Sequence, residues 1–168
     1  MSDPTQKTYR FRRLCQEAMQ PQQEEYAVRE KLVGAVELTP ETALEAVEKA
    51  WDWAGVDAQA MPSVRRRGFI NGYAAYSPVP RWGAPPNTIV YRGPGIPVRA
   101  LLHEACHAIL WHTASQTGHT RYFRTMELAC YDALLPGFEV DWDTAERTAE
   151  ELGLSWASLN QLPLLQNQ

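Results

Sequence analysis

Cysteine is scarce and scattered: the 168-residue chain carries three, Cys15, Cys106 and Cys130, and no Cys-x-x-Cys pair. An odd number so widely spaced excludes both a disulfide framework and a cysteine zinc ribbon. A strong excess of one charge is lacking too, since 16 basic and 20 acidic side chains leave a net charge of −4 and a pI near 5.6. That balance argues against a dedicated nucleic-acid binder. Two basic clusters, Arg10 with Arg12 and Arg13, and Arg65-Arg66-Arg67, read as solvated faces. No apolar run is long enough to span a membrane, and residues 1–14 lack the apolar centre of a signal peptide, so a reducing cytoplasm is expected. The chain is long enough to bury a core without staples, and a bound metal would therefore serve chemistry rather than folding.

Histidine is equally scarce, but here the distribution is informative. All four, His103, His107, His112 and His119, fall in one short stretch, and the first two belong to His103-Glu104-Ala105-Cys106-His107, an HExxH motif. Residues four apart on an α-helix differ by about 40° of rotation and roughly 6 Å of rise, so His103 and His107 can share one metal ion. Glu104 lies on the shoulder of that face, where its carboxylate suits a general base in metal-assisted hydrolysis rather than a ligand. The flanking residues are apolar nearly all round the helix, and between Ala100 and Ala114 the one formal charge is Glu104. A buried carboxylate needs a partner, and a metal site supplies one. Cys106 sits at a variable position of the motif and reads as a small hydrophobe.

The rest of the chain predicts an α+β domain. A helical arm is expected over 9–36, interrupted at Gln20-Pro21-Gln22-Gln23. Thr39-Pro40-Glu41 starts a helix that runs through Leu44, Val47 and Trp51 to Gly55. Aromatic and β-branched residues predict strands over 68–76 and 88–92, separated by a proline-rich loop. Helices follow over 97–113, 119–134 and 143–152, and the uncharged end from 161 is expected to fray. The organisation is an arm over 1–38, a domain over 39–160 and a tail over 161–168, with a small sheet packed on the HExxH helix.

A catalytic zinc usually has three protein ligands and one open position. His112 lies about half a turn round the helix from His103 and points away, which leaves His119 and Glu127. On one straight helix these two would be about 12 Å apart, too far for both to reach one ion. The run HEACH, a loop, Gly118-His119 and then Phe123 resembles the small cytosolic SprT-like zinc metallopeptidases over about 76–135. The resemblance implies a zincin-like metallopeptidase fold, Zn2+ held by His103, His107 and His119, Glu104 as the base, and a protein or peptide substrate. No cysteine ribbon follows, and Thr120-Arg121-Tyr122 stands where the family carries a small Gly/Pro pair. The spacing of Glu127 resembles the thermolysin-like gluzincins instead, although Tyr131 stands at the position of their next carboxylate. Tyr122, Tyr91 or Arg121 could stabilise an oxyanion, and the 88–92 strand could bind an extended peptide at a sheet edge. Two rival functions remain: a non-catalytic zinc-binding regulatory or interaction protein on the same fold, and a protease linked to DNA.

Overall fold

The computed structural model describes residues 6, 7, 10, 11, 13, 40–93, 96–135 and 138–162. Helix α1 (Pro40–Ala54) buries Ala43, Ala46, Val47, Ala50, Trp51 and Ala54, the spacing of a single apolar stripe. Gly55 ends it at a left-handed φ of 68°, where a side chain would be strained. A short 3-10 turn (Ala58–Ala60) leads into β1 (Ser63–Arg66), followed by β2 (Ala74–Ser77) and β3 (Thr88–Tyr91). Helices α2 (Val98–Ala114), α3 (Arg121–Leu134) and α4 (Trp142–Glu151) and a 3-10 turn (Leu159–Gln161) complete the order. The class is mixed α+β, as expected from sequence.

The sheet runs β1-β3-β2, with β1 parallel and β2 antiparallel to β3. All four residues of β3 are buried, as suits a central strand. This corrects the expectation that the 88–92 strand offers a sheet edge, because β1 and β2 occupy both of its sides. The strand expected over 68–76 begins only at Ala74. Gly72 takes a φ of 79°, and Phe69 and Tyr73 stand 69% and 53% exposed, so the aromatic content upstream belongs to a surface connection. β1 was not anticipated, since Ser63-Val64-Arg65-Arg66 has a single apolar residue. Charged side chains on an edge strand oppose further pairing, which is a reason to find arginine there.

Helix α2 lies against α1, α3 and the sheet, and its apolar residues from Leu101 to Leu110 are buried on nearly every face. α3 buries nine consecutive residues, Phe123 through Tyr131. The side chains of Arg124 and Thr125 tie it to the backbone at Ser155 and Ala157. Leu162 is fully buried, so the core reaches past residue 160, while 163–168 lie outside the described residues. Most of the expected arm over 1–38 also lies outside them, Arg12 included; Gln6, Lys7, Arg10, Phe11 and Arg13 are helical, and Phe11 packs against Trp156. No helix among the described residues is long and apolar enough to cross a membrane.

Candidate metal centre

His103 and His107 project from one face of α2, one turn apart, toward the start of α3. The third histidine arrives by a turn rather than on a helix. Ser115 ends α2 at a left-handed φ of 51°, Gly118 takes a φ of 79°, and His119 follows directly before Thr120, which caps α3 by accepting the N–H of Phe123 at 3.3 Å. Thr120 also donates to the side chain of Gln116 at 3.0 Å. Arg124, 5% exposed, donates to the carbonyl of His119 at 2.7 Å and so fixes the backbone of that residue from below. Burial pulls the pKa of this guanidinium down from its ordinary value. Phe123 stacks on His107 with ring centroids 4.1 Å apart and stands edge-on to His103 at 4.9 Å, a wall that holds both imidazoles in place.

The ring nitrogens converge. The Nε2 of His103 lies 3.2 Å from the Nε2 of His107 and 3.3 Å from that of His119. Nitrogens bound tetrahedrally at 2.0–2.1 Å around one zinc are separated by about 3.3 Å, so this spacing is what a shared ion requires. These three histidines are close enough to hold a metal ion. On the opposite side of the His103 ring, Nδ1 meets the Oε2 of Glu127, a carboxylate only 4% exposed as a residue. With Nδ1 as the donor, the lone pair of Nε2 is aimed into the cluster, the arrangement by which outer carboxylates orient metal-binding imidazoles. The two rivals for third ligand thus occupy different positions, His119 among the Nε2 atoms and Glu127 behind His103.

Glu104 takes the shoulder expected of it. Its Oε2 accepts the backbone N–H of Tyr76 at 2.8 Å, and its Oε1 lies 3.8 Å from the Nε2 of His103. The carboxylate opens on a cleft of about 360 Å³ lined by Tyr76, Arg81, Trp82, His107, Trp111 and Gly118 among others. Tyr76 donates its hydroxyl to Asn87 at 3.0 Å, and burial pushes its pKa up to about 12, so it stays a neutral donor at ordinary pH.

The remaining candidates separate cleanly. His112 points away from the cluster, as its half-turn offset predicts, with Nε2 3.2 Å from the Asn87 side chain and its ring edge-on to Trp51. Tyr91 does not line the cleft: it is 1% exposed in the core, and among the described residues its Oη has no hydrogen-bond partner. That removes it as an oxyanion donor. Arg121 donates to the hydroxyl of Tyr122 at 2.7 Å, a pair at the start of α3 outside the cleft lining. Cys106 is fully buried, and a hydrogen bond with Cys130, together with burial, pushes its thiol well above the ordinary range. Sequence reasoning missed the support given by Tyr76 and Trp82, whose partners lie 28 and 15 residues away, beyond the reach of any local spacing, and that of Arg124, whose partner is the backbone carbonyl of His119 and leaves no side-chain pattern. No family model, curated protein or solved structure matches the chain.

Proposed function

We propose that the protein is a zinc metallopeptidase of the SprT-like kind, with His103, His107 and His119 as ligands and Glu104 as general base. The observation that carries this reading is the convergence of the His107 and His119 Nε2 atoms to 3.2 and 3.3 Å from that of His103, beside a carboxylate that opens on a cleft. Glu127 supports it from behind by fixing the tautomer of His103. Zinc held there would supply Lewis acidity, polarising a carbonyl and lowering the pKa of water to about 7. Glu104 takes the proton from the attacking water and returns it to the leaving amine. The N–H of Tyr76 points away from β3 and toward Glu104, so the outer edge of β2 borders the site. An extended peptide added along that edge would run past the base. We place the protein in the cytoplasm, where the buried thiols Cys106 and Cys130 stay reduced.

Replacing Glu104 by Gln keeps size and shape but removes the base. Peptide hydrolysis should fall by about 10² to 10⁴ while zinc content and folding stay near wild type. A protein panel and a peptide library digested by wild type, Glu104→Gln and chelated samples separate this activity from a contaminant, which would survive the mutation. Equal cleavage by wild type and variant, or none by zinc-loaded wild type, favours a non-catalytic zinc protein on the same fold.

A further inference from the structure

Charge is divided unevenly along the chain. Residues 58–103 contain six arginines, Arg65, Arg66, Arg67, Arg81, Arg92 and Arg99, and no acidic residue at all. The other residues carry ten basic and twenty acidic side chains, so the net negative charge belongs wholly to the segments outside the sheet region. The cationic segment forms β1, β2, β3 and their connections. Those connections lie together: Ile70, Ala84 and Val90 form a small second core with Ala75 and Trp82 packed on it, and Arg67 donates to the Trp82 carbonyl at 3.2 Å. Arg65, Arg66, Arg81 and Arg92 are exposed, and among the described residues none of them forms an ion pair. Arg65, in register with Val90, shares the side of the sheet on which Trp82 packs, whereas Arg66, in register with Tyr91, projects to the other side and lies outside that face. Phe69, Tyr73 and Val79 stand exposed on the same connections.

One of these arginines reaches the cleft, and it is held there. Arg81 and Ala84 exchange backbone hydrogen bonds at 3.2 and 2.9 Å across a turn in which Trp82 and Gly83 take φ of 54° and 66°. Two left-handed residues in succession make a tight primed turn, for which Trp82 is an unfavourable choice. The Arg67 bond to the Trp82 carbonyl and the stacking of Arg81 over the Trp82 ring at 4.7 Å hold the strained conformation. Among the described residues that line the cleft, Arg81 is the one charged group apart from Glu104 and His107.

We propose that this cationic, partly apolar face binds acidic polypeptide, with Arg81 reading a carboxylate side chain next to the bond presented to Glu104. The inference rests on the peptidase reading above and names its substrate class. Charge complementarity favours an acidic occupant, and continuity with a cleft that ends at a water-activating carboxylate favours polypeptide over nucleic acid.

Binding to the full-length, zinc-loaded Glu104→Gln protein tests the face without requiring turnover. The probes are three fluorescein-labelled peptides of about twelve residues, identical except for Glu, Gln or Lys at the positions flanking the centre, and a labelled single-stranded oligonucleotide of about the same length. The Glu peptide should bind about tenfold tighter than the Gln peptide and lose that advantage as salt rises. Arg81→Ala and Arg92→Ala, with melting temperatures checked, should each reduce the Glu-over-Gln ratio by about two- to fivefold, the usual worth of an exposed pair. Equal binding of the Glu and Gln peptides, or an unchanged ratio in both variants, overturns the proposal; tighter binding of the oligonucleotide than of the Glu peptide overturns the choice of occupant. Charge preference without hydrolysis by wild type would sink the peptidase reading and spare this one, whereas hydrolysis without charge preference would do the reverse.

Discussion

The two walls of the cleft are built differently. On the helical wall, α2 buries its apolar residues from Leu101 to Leu110 and α3 buries Phe123 through Tyr131, and every histidine of the cluster has a further residue fixing it: Glu127 behind His103, Phe123 stacked on His107, Arg124 under His119. On the sheet wall, each of the three strands has four residues, and the connections between them leave Arg81, Phe69, Tyr73 and Val79 exposed. Metal chemistry needs donor atoms placed to a few tenths of an ångström, which only densely packed elements supply. Recognition of an extended partner needs open backbone and accessible charge instead. On the proposed reading, chemistry falls to one wall and substrate contact to the other, with Glu104, bonded to the Tyr76 N–H, as the joint between them.

Substitutions on the helical wall should test that division in order of effect. Changing His103, His107 or His119 to Ala should in each case remove most of the bound zinc and all measurable hydrolysis, since a three-ligand site keeps little affinity with one ligand gone. Metal analysis after dialysis checks this, and full zinc retention by His119→Ala would show that the third ligand lies elsewhere. Glu127→Gln should weaken zinc affinity by about 10- to 100-fold without abolishing the site, the usual effect of losing an outer carboxylate. Competition with a chromophoric chelator measures it, and complete loss would make Glu127 a ligand in its own right. Arg124→Ala removes charge-assisted bonds to His119 and Ser155 and should destabilise the fold by about 2–3 kcal/mol, lowering Tm by roughly 5–10 °C. An unchanged Tm with unchanged zinc affinity would show that His119 is fixed by its own turn alone.

The same division explains what could be read from sequence. Expected helices over 97–113, 119–134 and 143–152 match Val98–Ala114, Arg121–Leu134 and Trp142–Glu151 closely, because an apolar stripe repeated over several turns is a strong local signal. His103 and His107 share a face for the same reason. The sheet was far less legible. A four-residue strand such as β1, with Arg65 and Arg66 in it, carries almost no pattern of its own and is defined by pairing with Thr88–Tyr91, more than twenty residues away. The third histidine was intermediate: spacing left it level with Glu127, and its place depends on left-handed residues at Ser115 and Gly118 and on Arg124. Glu127 looked like a competing ligand because it stands twenty residues after His107, the spacing of the gluzincin-like third ligand. Its partner is the other nitrogen of the same imidazole, a relation that no linear spacing encodes.

The most direct test of this arrangement is a crystal structure of the zinc-loaded wild-type protein with an anomalous difference map recorded at the zinc edge. One peak about 2.0–2.1 Å from the Nε2 atoms of His103, His107 and His119, with Glu127 still on the Nδ1 of His103, is the expected result. A peak ligated by the Glu127 carboxylate in place of His119, or no peak among the three histidines, would contradict it.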